Sequence, residues 1–226
     1  MFPIRDLNPR NSYPIVVVSI IVLNAYLYFN YALLPEVDLQ KFFLTWGLLP
    51  ARFRLINLIT YQFLHGGLLH LISNMWALWI FGDNIEDKMG HLKFLIFYLF
   101  SGIFAGLVQV LISSSPDIPC VGASGAIAGV MGVYTLLFPT AMVICIVPIF
   151  FYPLFVQVPA LLLGIFWFFS QLFNGIISLT MVKVGGIAWW AHIGGFVGGI
   201  LSLPLFLKNR PPTHITKHYD SDEPEF

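Results

Sequence analysis

Charged residues are scarce in this chain of 226 residues. Only 10% of the residues are Asp, Glu, Lys or Arg, against 58% apolar residues, whereas soluble domains carry about 25% charge. The 11 basic and 11 acidic residues give a formal net charge of zero. This balance excludes the basic footprint of a nucleic-acid-binding protein and the composition of a disordered chain. A soluble fold has too little interior for so many apolar side chains, so we expect a protein that lies in the lipid bilayer.

Cysteine and intramembrane acid are scarce as well. Cys120 and Cys145 lie in apolar stretches without metal-ligand spacing, which argues against a disulfide scaffold. No Asp or Glu lies in the middle of an apolar segment, and no H-E-x-x-H sequence is present. These absences exclude an aspartyl protease with paired carboxylates and a zinc metalloprotease. We therefore predict neither a metal nor a cofactor.

Six apolar segments are candidates to cross the bilayer, for which a helix needs roughly 20 residues. They are residues 13–34, 67–81 with an approach from residue 61, 92–113, 121–138, 158–179 and 187–207. Residues 141–159 are apolar too, but three prolines interrupt them, and each proline removes a helix donor. We interpret them as a partly embedded connector, with a seventh span over 141–155 as the alternative. The prediction is an all-α membrane protein, a six-transmembrane-helix bundle over residues 1–207 with a polar, disordered cytoplasmic tail over 208–226.

The loop charges indicate an orientation. Six spans place both termini on one side, and the loops on that side hold seven cations against four in the opposite loops. The seven are Arg5, Arg10, Lys88, Lys93, Lys208, Arg210 and Lys217, and the four are Lys41, Arg52, Arg54 and Lys183. The positive-inside tendency then favours termini in the cytoplasm. Because the chain lacks an Arg-rich transit peptide, a bacterial-type plasma membrane is favoured.

Four polar side chains on three separate segments are predicted to lie near the extracytoplasmic face. His70 and Asn74 are four residues apart and share one side of the second helix. Ser124 opens the fourth helix, and His192 lies early in the sixth. Each follows the start of its helix by a few residues, which corresponds to roughly 5–15 Å of depth at 1.5 Å per residue. Polar groups inside a membrane usually mark function, so we interpret these four as one site.

Glycine stripes support that interpretation. They comprise Gly122, Gly125, Gly129 and Gly132 in the fourth helix, and Gly195 and Gly199 in the sixth. Such stripes let helices approach closely, which would bring the Ser124 hydroxyl to the His192 imidazole. His192 would act as general base for the nucleophile Ser124, while His70, Asn74 and the Ser124 amide would donate to an oxyanion. No acid is placed to orient His192, so we predict a Ser-His dyad rather than a triad.

At these residues the chain resembles the rhomboid intramembrane serine proteases. Gly122-Ala123-Ser124-Gly125 matches the G-x-S-G motif of that family, Ala191-His192 with Gly195-x-x-x-Gly199 matches its sixth-helix motif, and His65, His70 and Asn74 match its second-helix H-x4-H-x3-N pattern. The run 82–90, with Glu86, resembles the family's second-helix exit. The likeness covers roughly residues 3–207. One departure is Phe53-Arg54, where the family has Trp-Arg.

The resemblance implies a six-helix core, a Ser-His dyad in a water-filled cavity and cleavage of single-span membrane proteins. It also implies oxyanion roles for His70 and Asn74. Gly122, Gly125 and His65 are expected to support the site, His65 by fixing the loop where the chain enters the bilayer. Gln109, Gln171 and Asn174 are interpreted as interhelical hydrogen-bond partners, and Cys120 as a packing residue.

Two other function classes are weighed. A non-catalytic relative could bind transmembrane helices without cutting them, but it would need neither Ser124 nor His192. A small transporter or channel would predict buried charge or repeated halves, and the sequence contains neither. The sequence names no natural substrate and no oligomeric state.

Overall fold

The computed structural model describes residues 1–149, 152–180 and 187–207. Its elements in chain order are β1 (Phe2–Asp6), α1 (Ile15–Tyr31), α2 (Glu36–Trp46), α3 (Asn57–Thr60), α4 (Leu68–Met89), α5 (His91–Ile112), α6 (Ser124–Leu137), β2 (Met142–Ile149), β3 (Tyr152–Pro159), α7 (Ala160–Thr180) and α8 (Trp189–Phe206). Each of the six predicted apolar segments overlaps one α-helix, and the helix of the second segment continues past residue 81 to Met89. The predicted tail over 208–226 and Lys183 lie outside the described residues.

Three of these helices are long and apolar enough to cross a membrane. They are α5, α7 and α8, with 22, 21 and 18 residues. The helices α1 and α6 are apolar but shorter. The helix α4 has 22 residues and ends in a charged turn that includes Asp83, Glu86 and Asp87. The protein is therefore mostly helical with several membrane-spanning candidates.

The all-α prediction is wrong for the connector and for the amino terminus. Residues 142–149 and 152–159 form an antiparallel hairpin, and β1 pairs with β2 to give a three-stranded sheet in the order β1-β2-β3. Pro148 and Pro153 lie opposite each other in the hairpin. Because proline has no backbone N–H, this pair leaves no donor without a partner, whereas either proline would break a helix. The β-branched residues between 143 and 147 favour a strand. The alternative of a seventh helical span over 141–155 is wrong as well.

The helix α6 lies at the centre of the bundle. All residues from Gly125 to Thr135 are buried, and α8 packs directly on it. A Cβ atom at Gly199 would lie 2.6 Å from the Cα of Gly129, and one at Gly195 would overlap the carbonyl of Gly125. The glycine stripes thus face each other, and a larger side chain has no room between these two helices. We call the end at which α4, α6 and α8 begin the upper end, and the end at which they finish the lower end.

A carboxylate closes the lower end of α1. Pro14 precedes this helix and supplies no side-chain cap, so the first backbone N–H groups need another acceptor. The two carboxylate oxygens of Glu86 accept hydrogen bonds from the amides of Val16 and Val17, both at 2.8 Å. His91 Nδ1 also lies 2.5 Å from this carboxylate. An anion at a helix amino terminus is favourable, so Glu86 joins α1 to α4.

The N-terminal segment lies along α4 and reaches α6. The indole of Trp76 donates to the carbonyl of Pro3 at 2.9 Å. The hydroxyl of Tyr134 donates to the carboxylate of Asp6 at 2.7 Å. Because β1 also pairs with β2, this segment connects the sheet to two helices of the core.

Candidate active site

Ser124 is the first residue of α6, at the upper end. The preceding segment is fixed by two backbone hydrogen bonds between Leu48 and Cys120, at 2.9 and 2.8 Å, and by one from the Gly122 amide to the Tyr61 carbonyl at 2.9 Å. Gly122 has a φ of +135°, a conformation that glycine adopts without strain. A Cβ atom there would lie 2.9 Å from His70 Nε2. The glycine therefore permits both the turn and the close approach of His70 to Ser124.

The hydroxyl of Ser124 meets an imidazole from α8. Ser124 Oγ and His192 Nε2 are 2.8 Å apart, which is hydrogen-bond distance. The facing glycines of α6 and α8 make this approach possible, because a Cβ on either stripe would separate the two backbones. The structure thus brings together the two residues that sequence reasoning paired as nucleophile and base.

The other face of His192 is covered by α7. His192 Nδ1 lies 2.8 Å from Gln171 Oε1. The centroids of the Trp167 ring and the His192 imidazole are 5.8 Å apart, and the two ring planes make an angle of 33°. Sequence reasoning assigned Gln171 only an interhelical role and did not single out Trp167. The i, i+4 spacing of these two residues was the available signal, since it places them on one side of a helix.

His70 and Asn74 line the same cavity as Ser124 and His192. The ring nitrogen Nδ1 of His70 accepts from the Gly66 amide at 3.4 Å, which leaves its Nε2–H free to donate near Gly122. Asn74 is buried, and its amide nitrogen has no hydrogen-bond partner among the described residues. A buried donor without a partner is costly, so this nitrogen is available to a group that enters the cavity.

His65 lies beside the site and does not line the cavity. Its ring packs edge-on against His70, with 5.1 Å between ring centroids and an angle of 70°. The backbone carbonyl of His65 accepts a hydrogen bond from the Tyr31 hydroxyl at 2.9 Å. The backbone amide of His65 donates to the hydroxyl oxygen of Tyr31 at 2.6 Å. The loop-fixing hydrogen bonds therefore come from the backbone of His65, while the ring supports His70.

A match to a family model accompanies this geometry. Residues 52–209 match the model described as the rhomboid domain, which is more than half of the chain. The chain belongs to the rhomboid family. This family consists of integral membrane proteins and includes serine intramembrane proteases, and the match covers α4 to α8 with Ser124 and His192.

Individual relatives give the same assignment. The chain is 41% identical over 81 residues to RHOMBOID-like protein 5 of Arabidopsis thaliana, which is 36% of this chain and 25% of that protein. It is 30% identical over 155 residues to the mitochondrial Rhomboid protein 1 of Saccharomyces cerevisiae, which is 65% of this chain and 40% of that protein. The mitochondrial RHOMBOID-like protein 12 of Arabidopsis thaliana is 30% identical over 174 residues, 70% of this chain and 48% of the relative. The matched stretches thus span less than half of each of these three relatives.

The rhomboid site opens into a cavity of about 550 Å³. Its walls come from α4, α6, α7 and α8 and from residues 119–121. Cys120 also faces it, but burial raises the pKa of the Cys120 thiol to about 12. A thiol attacks only as the thiolate, whereas the Ser124 hydroxyl lies 2.8 Å from the His192 imidazole, so Ser124 is the better placed nucleophile of this cavity.

The first-loop departure from the rhomboid pattern lies at the surface. Phe53 follows a short 3₁₀ turn over Pro50–Arg52 and is exposed. Neither Phe53 nor Arg54 lines the cavity. The substitution of the family's Trp therefore lies away from Ser124 and His192.

Proposed function

We propose that this rhomboid is an intramembrane serine endopeptidase that cleaves single-span membrane proteins. The observation that carries the proposal is the 2.8 Å separation of Ser124 Oγ and His192 Nε2 at the wall of an open cavity. A hydroxyl beside an imidazole is the usual arrangement for nucleophilic catalysis on a carbonyl. No carboxylate of the described residues hydrogen-bonds to His192, so the site lacks the acid of a Ser-His-Asp triad.

The reaction follows from the positions of these groups. His192 Nε2 takes the hydroxyl proton as Ser124 Oγ attacks the peptide carbonyl, and the proton then passes to the leaving amine as the acyl-enzyme forms. Water then enters, gives a proton to His192 Nε2 and attacks the carbonyl of the acyl-enzyme. As the ester bond breaks, His192 returns this proton to Ser124 Oγ, which releases the second product and restores the hydroxyl. The Ser124 amide, the Asn74 amide nitrogen and His70 Nε2–H are the donors that would stabilise the oxyanion in both steps.

Hydrolysis inside a membrane requires a route for water. A second cavity of about 490 Å³ adjoins the first and shares Pro119, Cys120, Ile187 and Ala188 with it. Its walls include Gln109, Asn174 and the serines at 113–115. Polar walls of this kind can hold ordered water, and we infer that water reaches Ser124 from this side.

The orientation of the protein forms part of the proposal. Six helices, α1, α4, α5, α6, α7 and α8, would cross the bilayer, with both termini in the cytoplasm and the upper end near the extracytoplasmic face. The excess of loop cations on the side of the termini supports this arrangement. A bacterial-type plasma membrane is the proposed location.

The substrate must expose a peptide carbonyl to Ser124. In an intact transmembrane helix all backbone groups are hydrogen-bonded within the helix, so the carbonyl is shielded from attack. We therefore expect cleavage near the outer membrane surface, in spans that Gly or Pro weakens.

The test is cleavage of a panel of single-span membrane proteins by the purified full-length chain in proteoliposomes. We expect Ser124→Ala and His192→Ala each to reduce cleavage by at least about 1000-fold. The matched control is Ser202→Ala, since this buried serine of α8 donates to the Gly199 carbonyl and lies outside the cavity. A fluorophosphonate should label the wild-type chain at Ser124 and should not label Ser124→Ala.

Two results would contradict the proposal. Cleavage that persists in Ser124→Ala would exclude the mechanism. A wild-type chain that cleaves no substrate and takes no label would favour the non-catalytic class, a rhomboid-like protein that binds transmembrane helices.

A further inference from the structure

His192 has a second hydrogen bond that the dyad does not use. A neutral imidazole carries its proton on one nitrogen only, and the hydrogen bond made by the other nitrogen decides which one. To accept the Ser124 proton, Nε2 must be unprotonated, so the resting proton must be on Nδ1. His192 Nδ1 lies 2.8 Å from Gln171 Oε1. This amide fixes the required tautomer if its oxygen, which accepts, faces Nδ1.

The neighbours of Gln171 fix the orientation of its amide. Gln171 Nε2 donates to the Trp167 carbonyl at 3.3 Å and to Ser170 Oγ at 3.0 Å. The Ser170 hydroxyl is itself committed as a donor to the Trp167 carbonyl at 2.6 Å, so it is an acceptor for the amide. A carbonyl and a committed hydroxyl can only accept from this nitrogen. The NH₂ group of Gln171 therefore points away from His192, and its oxygen points toward it.

This arrangement avoids the defect of an amide in a catalytic triad. When an amide replaces the triad carboxylate, its NH₂ group can donate to the imidazole and stabilise the wrong tautomer. In this chain both amide hydrogens are directed to Trp167 and Ser170. Gln171 is also buried, and the Trp167 ring restricts the imidazole from the side. A neutral side chain thus supplies the acceptor without placing a charge in the membrane.

We propose that Gln171 is a positioning residue that holds His192 in the tautomer with the proton on Nδ1, which makes the site a Ser-His-Gln system. The inference rests on the proposed function for its effect on catalysis, but the tautomer is a property of the resting protein.

The kinetic test replaces Gln171 in the full-length chain. Gln171→Met keeps the length of the side chain and removes the acceptor, and we expect kcat to fall about 10- to 100-fold with KM within about 2-fold of wild type. Gln171→Glu restores an acceptor and should recover most of kcat. Its carboxylate stabilises the imidazolium, so the acidic limb of the pH profile should move to higher pH. A purely structural role would not move that limb.

The matched control is Thr180→Val, at the end of α7. The Thr180 hydroxyl donates to the Ile177 carbonyl at 2.8 Å and lines neither cavity. We expect its kcat and pH profile to remain those of wild type. Equal losses in Thr180→Val and Gln171→Met, with no rescue by Gln171→Glu, would overturn the inference.

The second test does not depend on activity. The ¹⁵N spectrum of histidine-labelled protein, with His192 assigned by its loss in His192→Ala, reports which ring nitrogen carries the proton. We expect protonated Nδ1 and unprotonated Nε2 in wild type, and a mixture of tautomers in Gln171→Met. Protonated Nε2 in the wild type would overturn the inference even if the protein is a protease. The expected spectrum in a chain that cleaves nothing would support the positioning role while the proposed function fails.

Discussion

The two ends of the bundle are built differently. At the lower end several charged side chains have hydrogen-bond partners: Glu86 accepts from two amides of α1, Arg10 lies 3.2 Å from Asp83, and Asp87 accepts from Ser12 at 2.5 Å. At the upper end a cavity of about 550 Å³ opens beside Ser124. The Asn74 amide nitrogen and both ring nitrogens of His65 have no hydrogen-bond partner among the described residues.

The difference separates stability from chemistry. Hydrogen bonds between chain segments that are far apart in sequence stabilise the folded state, and the lower end contains several of them. Unpaired donors beside a cavity cost stability but are available to a substrate, as is common at functional sites. We therefore expect changes at the lower end to lower the free energy of unfolding, and changes at the upper end to lower activity.

The largest expected effect comes from the contact between α6 and α8, two helices that run from the upper end to the lower end. Gly199→Leu would force a side chain into a space where even a Cβ lies 2.6 Å from Gly129. We expect α6 and α8 to separate, with a loss of about 3 kcal/mol or more in the free energy of unfolding and loss of cleavage. Circular dichroism during unfolding in SDS measures the first effect, and the proteoliposome assay measures the second.

The control for this change lies on the outer face of the same helix. Leu201 is 70% exposed, so Leu201→Ala should leave the free energy of unfolding within about 0.5 kcal/mol of wild type. Its cleavage rate should be unchanged. A Gly199→Leu variant that remains fully active would show that the α6–α8 contact does not position the dyad.

The next effect in size is confined to the upper end. Asn74→Ala removes a donor from the cavity, and we expect cleavage to fall about 100- to 1000-fold. Its free energy of unfolding should stay equal or rise, because the lost amide nitrogen had no partner among the described residues. Asn24→Ala is the control and should leave cleavage unchanged, since this buried asparagine of α1 donates to the Ile20 carbonyl and does not line the cavity. If Asn74→Ala lowered the free energy of unfolding and left turnover unchanged, Asn74 would contribute to stability rather than to activity, contrary to the difference drawn between the two ends.

A smaller effect is expected at the lower end. Glu86→Gln weakens the acceptor for the Val16 and Val17 amides, and the free energy of unfolding should fall by about 1–3 kcal/mol. Turnover by the folded protein should be unchanged. Unfolding in SDS and initial cleavage rates, measured on the same preparation, separate the two quantities.

The exposed acid Asp38 of α2 provides the comparison for Glu86. It forms only a surface pair with Lys41 at 3.4 Å, and such pairs contribute about 0–1 kcal/mol. Asp38→Asn should therefore be less destabilising than Glu86→Gln. Equal effects would mean that the helix cap contributes no more than surface charge.

The sequence predicts the helices and the dyad for a physical reason. Apolar runs of about 20 residues are local signals, and the glycine spacing around Ser124 and His192 is a helical period that survives in three dimensions. The orientation of the Gln171 amide depends on the Trp167 carbonyl and the Ser170 hydroxyl, and no spacing rule specifies which amide atom faces His192. The sheet was missed because residues 2–6 pair with residues 143–146, which are far away in sequence, and because β2 has no polar side chain to give an alternating pattern.

The smallest expected effect concerns the strand that sequence reasoning missed. Burial raises the pKa of Asp6 above its ordinary value of 3.8. The hydrogen bond from Tyr134 offsets part of this rise, and the neighbouring Asp83 adds to it. The folded protein therefore binds this proton more tightly than the unfolded chain. The resulting stabilisation is present below the ordinary pKa and is lost as the pH rises through the raised pKa.

Asp6→Asn removes this dependence while its side-chain oxygen can still accept from Tyr134. We expect the variant to gain on wild type as the pH rises from 4 to 7, by about 1 kcal/mol or less because the carboxyl is only half-buried. Unfolding in SDS at each pH measures the difference, with Asp38→Asn as the exposed control. A gap between Asp6→Asn and wild type that stays constant with pH would mean that the pKa of Asp6 is the same in the folded and unfolded states.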